Sequence, residues 1–243
     1  MRTNNARTQS TNNLKLIGLT AHSFHDGNKR LPFNGVADDV VQADVEYFQM
    51  SKAVCFTSGS WGFQIISYCD SGPMFVTGTA NSGIAAYMCP GRGRPSANAT
   101  PNPWSDYLIN PWLNDDKAGS FAINVDNKRT LVEITDGTSN TIFFGQGAVN
   151  TADYSTTAVT PGYLDTILKG GTGATAQQAS GFARDSAGTP RNAARGWGGP
   201  FQQGGLMCMA DATVRMFPYA MGATGLQPFM TPTGNEKVEL PDT

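Results

Sequence analysis

The sequence predicts an α+β fold: a long N-terminal helix packed on an antiparallel β-sheet, with long loop insertions. Three observations carry that expectation. An apolar stripe of helical period runs along the N-terminal segment, and a compact hairpin signal lies near the C-terminus. Between them the chain is crowded with turn formers, with 28 Gly and 14 Pro and only 15% charged residues. That composition suits short strands and loops rather than a helical bundle.

The helix is read over Asn5–Phe24, NARTQSTNNLKLIGLTAHSF, where Ala6, Ser10, Leu14, Ile17, Ala21 and Phe24 recur at threes and fours and so share one face. It should stop near Asp26-Gly27-Asn28, because Gly readily takes the left-handed conformation that closes helix ends. Arg2 and Arg7 occupy the first turns, where the helix dipole favours acids. A helix that continues upstream would explain them.

Beyond the helix, ADDVVQADVEYF (37–48) fits either a short helix or an edge strand, and SWGFQIISY at Ser60–Tyr68 fits either period. Ile84–Met88 reads as a short buried strand. Residues 91–116, rich in Pro, Asn and Gly, read as an exposed excursion anchored by Trp104 and Trp112. Phe121–Val125, Leu131–Ile134 and Thr141–Val149 read as strands. Residues 150–200 are too poor in apolar side chains to form a core of their own, and should drape over the sheet or extend outward. The hairpin is Leu206–Ala210, Asp211-Ala212, Thr213–Phe217. A two-residue connection would pair Met209 with Val214 and Met207 with Met216, setting four apolar side chains on one core face.

At 40% hydrophobic residues the chain can bury a sizeable core, and it reads as one domain: an N-terminal helix at 1–27 and a β-rich head at 28–243. A net charge of −2 and a pI near 5.6 leave no basic footprint for nucleic acid. No apolar run approaches the ~18 residues of a membrane helix, and Met1–Arg7 is polar, unlike a secretory signal. Cys55, Cys69, Cys89 and Cys208 show no CxxC spacing, and as disulfide formers they allow more than one pairing.

Catalytic patterns are sparse. There is no GxSxG elbow and no HExxH helix, and Gly170-Gly171-Thr172-Gly173 lacks a Walker lysine. His22 and His25, three apart on a helix, are placed to face one ion with Asp26 close behind, although capping the last helical carbonyls would occupy them equally well. Asp26, Asn28, Asp38, Asp39 and Asp44 offer oxygen ligands for a structural calcium, the one cofactor the sequence leaves open. Asn98-Ala99-Thr100 is a glycosylation sequon.

The stretch Leu131–Gly147, LVEITDGTSNTIFFGQG, gathers Asp136, Gly137, Thr138, Ser139 and Asn140 between two apolar runs. It resembles a catalytic loop, yet Asp-Gly is a turn dipeptide whose Thr, Ser and Asn neighbours bond nearby backbone. The expectation is a structural turn.

Five stretches together resemble one family: Arg7–Pro32, Ser60–Tyr68, Met88–Pro95 (MCPGRGRP), Ile134–Gly147 and Phe201–Phe217. They are similar to planctomycete-type pilin-like proteins, the type II secretion pseudopilin G-like group, which carry a prepilin segment followed by a domain of unknown function. The resemblance implies a membrane-inserted helix, a pilin-like β-rich head outside the cytoplasm, and helices that bundle into an extracellular filament. Leu14, Ile17, Ala21 and Phe24 would then face both the chain's own sheet and its neighbours.

The chain departs from that pattern in three places. The apolar prepilin segment is missing, so the resemblance implies either a trimmed chain or a member that assembles differently. Ser10 stands where relatives often have Cys. In the pattern of His, nine residues, then Asp-Gly, Phe201 replaces the His and Ala212 the Gly. The function expected is a self-assembling structural subunit without catalysis, at the cell surface or in the periplasm. The alternative is a module that binds a surface glycan or polymer, with Trp104, Trp112 or Trp197 as stacking platforms.

Overall fold

A computed structural model describes residues 2–35, 59–69, 83–94, 104–114, 127–156, 163–177, 181–236 and 238–241. Its first element, α1, spans Arg2–Asn28. Ser10, Leu14, Ile17 and Ala21 are fully buried and Phe24 nearly so, as their helical spacing requires. The helix ends where expected, but by a different residue. Lys29 takes the left-handed conformation (φ 57°) and donates its N–H to the His25 carbonyl at 2.7 Å. Gly27 stays helical; a Cβ there would stand 2.7 Å from the Tyr68 hydroxyl.

Among the described residues four strands form one antiparallel sheet in chain order: β1 (Tyr107–Ile109), β2 (Ile142–Gln146), β3 (Gly205–Met209) and β4 (Val214–Phe217). The molecule is therefore α+β, with α1 laid across one face. Tyr107, Ile109, Phe144, Leu206 and Cys208 point to that face and join the core beneath α1. A register shift between Ile142 and Phe144 brings Phe143 into the same cluster, stacked on Phe144 with centroids 4.2 Å apart. The opposite face carries Leu108, Met207, Met209 and Phe217. It is covered by Phe182, Trp197 and the C-terminal residues Leu226, Phe229 and Met230. Gly145 lets that cover approach, since a Cβ there would collide with Met207 Sδ and stand 2.9 Å from Trp197.

The hairpin register differs from the expected one by a residue. Cys208 pairs with Val214 and Leu206 with Met216. Met209 N–H donates to Thr213 O at 2.8 Å and Ala212 N–H to Met209 O at 2.9 Å, so the loop has three residues with Ala212 left-handed (φ 64°). The Asp211 carboxylate holds it by accepting from Thr213 N–H and Oγ1–H. A one-residue slip sends alternate side chains to opposite faces. Val214 and Met216 accordingly face α1 while Met207 and Met209 face the C-terminal cover.

Other expectations need correction. Ile84–Met88 is not a strand; it turns through a 3-10 helix at Ala85–Tyr87, whose Tyr87 hydroxyl donates to Gly62 O. Leu131–Ile134 is a 3-10 turn at Leu131–Glu133, opened by a Thr130/Glu133 capping box, with Val132 89% exposed. Ser60–Tyr68, which the sequence leaves open to either period, is helical at Trp61–Gln64 and then Ile66–Tyr68. The supposed excursion at 91–116 supplies buried Arg92 and Arg94, strand β1 and Leu113. Within 150–200, Tyr163, Leu164, Ile167 and Leu168 enter the interior. Polar and glycine neighbours hid these segments because each buries only a few large side chains. Phe121–Val125 and 37–48 lie outside the described residues. No helix among the described residues is long and apolar enough to cross a membrane.

Candidate functional site

The densest polar chemistry lies inside the fold. In MCPGRGRP, a 3-10 turn at Pro90–Arg92 followed by left-handed Gly93 (φ 56°) sends both arginines inward. Arg92 grips Asp185 with two donors, Nε to Oδ2 at 2.8 Å and Nη2 to Oδ1 at 3.2 Å. Its Nη1 lies 3.0 Å from Asp106 Oδ1, and its Nη2 also donates to the carbonyls of Gly147 and Gly198. Arg94 Nη1 reaches the same Asp106 oxygen at 2.6 Å, its guanidinium stacked over Trp104 at 4.8 Å. The other Asp106 oxygen accepts Cys89 N–H at 2.8 Å, while Asp185 also accepts from Val149 N–H and Tyr154 O–H.

The side chains of Arg92, Arg94, Asp106 and Asp185 are at most 1% exposed. Burial pushes the Asp106 carboxyl up, but Arg94 and Arg92 outweigh it and hold the group below the ordinary carboxylate range. Burial likewise opposes the charge on Arg92, and Asp185 and Asp106 reverse that, raising its pKa.

A second buried group ties α1 to the sheet. Ser10 Oγ lies 2.9 Å from Tyr107 Oη and 3.2 Å from Cys89 Sγ. Gln146 donates to Cys89 Sγ at 3.2 Å and accepts Leu206 N–H at 2.9 Å. One small cluster thereby joins α1, the MCPGRGRP segment, β1, β2 and β3. Desolvation raises the Cys89 pKa, so its thiol stays protonated at neutral pH.

The two histidines do not converge. His22 Nε2 is 2.8 Å from Ala210 O, whereas His25 Nε2 receives Leu131 N–H at 3.4 Å and its Nδ1 is 3.6 Å from exposed Asp26. Each ring is drawn to a different loop, because α1 runs over both. Among the described residues no group of three or more His, Cys, Asp or Glu is arranged to hold a metal ion. Asp38, Asp39 and Asp44 of the proposed calcium set lie outside the described residues, as do Asn98 and Cys55. Cys89 and Cys208 are buried free thiols, and Cys69 Sγ lies 3.5 Å from Thr20 Oγ1. No disulfide joins these three cysteines, which sit in separate parts of the core.

Asp136–Asn140 is arranged as a junction. Gly137 is left-handed (φ 97°), Asn140 Nδ2–H donates to Asp136 O, and Asp136 accepts Gly234 N–H at 2.7 Å and Asn235 N–H at 2.9 Å. Thr138 O accepts Asp211 N–H at 3.0 Å, binding this turn to the hairpin loop. Trp104 and Trp197 are buried and Trp112 is half-buried against the C-terminal cover, so none is a platform for stacking.

The assembly stripe also needs correction. Leu14, Ile17, Ala21 and Phe24 are consumed in the chain's own core, with no surface left for a neighbour. The large apolar residues α1 does present are Leu16, 46% exposed, and Leu19, 50% exposed.

Over residues 2–223 the chain matches the model of a family described as "Protein of unknown function (DUF1559)". It belongs to that family. The match takes in α1, all four strands and both buried polar groups of this DUF1559 chain. No curated protein and no solved structure matches it.

In the sequence Arg92 and Arg94 stand out only within the family resemblance, and no motif marks Asp106 or Asp185. The available signal was Pro-Gly-Arg-Gly-Arg in a chain with 15% charged residues, where two closely spaced cations call for buried anions.

Proposed function

We propose that this chain is the head of a pilin-like, self-assembling filament or pseudopilus subunit, acting outside the cytoplasm as a structural element without catalysis. The observation that carries the reading is α1. It is fastened along the sheet by one face while its outer face keeps Leu16 and Leu19, three residues apart, exposed side by side. Exposed leucines so placed on a well-packed helix suit contact with another helix. Family membership and the resemblance to pilin-like proteins agree with it. The ion-pair network then has a mechanical role: it locks the loops that carry Arg92, Asp106 and Asp185 into one rigid head.

Electron microscopy of the purified protein at high concentration, and of material sheared from cells that express it, tests the reading. Ordered filaments with the subunit mass of this chain are expected. Leu16→Glu with Leu19→Glu should abolish them while leaving the melting temperature within about 2 °C, since exposed substitutions move stability little. Monodisperse particles alone in both samples would overturn the proposal.

A further inference from the structure

A groove of about 530 Å³ opens between α1 and β4, outside the buried networks and away from Leu16 and Leu19. Its floor is apolar, made by Leu206, Val214 and Met216, and its walls carry Arg7, Thr11 and Arg215. Among the described residues no acidic side chain lines it. Neither Arg7 nor Arg215 forms an ion pair among the described residues, and Arg215 Nε is buried without a hydrogen-bond partner. Arg7 stands on the α1 side of this floor, while Arg215, paired with Met207, leaves β4 toward its other side, so the rim of the groove is cationic on both sides and favours a ligand that is anionic as well as apolar.

The sheet supplies the rest. β4 ends the strand order, and among the described residues no main chain bonds to its outer side. Because Met209 donates to Thr213, the hydrogen-bonded pairs of this ladder fall at Met207/Arg215 and Gly205/Phe217. The N–H and C=O of Val214 and Met216 are left pointing outward, beside the groove that their side chains floor. An extended peptide added to this edge would bond those groups and send one alternate set of side chains toward Arg7 and the other toward Arg215.

We propose that the α1–β4 groove is a docking site for an extended acidic peptide segment, bound by strand addition to β4 and by Arg7 and Arg215. The site does not depend on filament formation and is tested on the unassembled protein.

The probe is a fluorescein-labelled, β-prone peptide of Thr, Val and Glu with Glu at both odd and even positions, compared with its Lys counterpart, its backbone N-methylated form and octanoate, with anisotropy as the readout. The acidic peptide should bind, weaken as ionic strength rises, and lose at least tenfold in affinity with N-methylation. Arg215→Glu and Arg7→Glu should each cost a similar factor, with Arg215→Gln intermediate and all variants melting as the parent does. Equal binding of the Lys peptide, unchanged affinity on N-methylation or charge reversal, displacement by octanoate alone, or no binding by any peptide would each overturn the proposal.

Discussion

Replacing Asp106 by Asn tests whether the buried ion pairs hold the head together. The side chain is fully buried and receives Arg94 at 2.6 Å, Arg92 at 3.0 Å and Cys89 N–H at 2.8 Å. Asparagine keeps the shape but removes the charge, leaving Arg94 without the acid it pairs with and Arg92 with Asp185 alone. Breaking one partner of a buried pair costs about 3–5 kcal/mol. At about 2–4 °C per kcal/mol for a chain of this size, the melting temperature should fall by roughly 6–20 °C. Calorimetry or circular dichroism measures it. The pH dependence adds a sign: a carboxyl whose folded pKa is lowered contributes stability above its unfolded value, about 3.9, and loses it as pH falls through the folded one. The gap between parent and variant should therefore be widest near neutrality and narrow below about pH 4. Adding Arg94→Met removes one orphaned cation and should restore part of the loss. A variant melting within about 2 °C of the parent at pH 7 would refute the reasoning.

Three further outcomes follow from the core. Gly18→Ala places a Cβ 2.7 Å from Cys208 Sγ and 2.9 Å from Ala212 Cβ. Overpacking of about 1–3 kcal/mol should exceed the helix-propensity gain of about 1 kcal/mol, with partial recovery by Cys208→Ala in urea unfolding. Ser10→Cys sets a thiol where an oxygen now lies 3.2 Å from Cys89 Sγ. Mild oxidation should join the two and stabilise the fold by about 4 kcal/mol, given a separation of 79 residues; persistence of both thiols after oxidation would count against that geometry. Burial raises the pKa of Cys89 and Cys208, so a thiolate-selective reagent should modify them at neutral pH only at the rate of unfolding. Rapid labelling of either in the native protein would contradict their burial.

Some parts of this molecule are legible in its sequence. The stripe from Ser10 to Phe24 repeats every three or four residues, and period is a local property that survives translation into structure. The turn at Asp136–Asn140 was legible for the same reason, since Asp-Gly with flanking Thr, Ser and Asn bonds its own backbone. The candidate site was not legible. Asp106 and Asp185 lie 79 residues apart in stretches whose Pro, Asn, Gly and Ala content reads as loop, and only burial makes either acid consequential.

The hairpin marks the boundary between the two kinds of information. Its existence follows from the sequence around Asp211, but its register turned on a single backbone bond, Met209 N–H to Thr213 O, and its three-residue loop with left-handed Ala212 is specified by no pattern. With both sheet faces buried, one under α1 and one under Trp197 and Phe229, every residue of β3 is apolar or Gly and alternation carries no phase. By itself the sequence determined one long amphipathic helix, a β-rich body and the turn chemistry that joins them. Only the tertiary structure decided which face each strand turned inward, which acids met Arg92 and Arg94, and which leucines of α1 stayed outside. Those choices are made by contacts between residues far apart in the chain, through burial and charge pairing that local spacing does not encode.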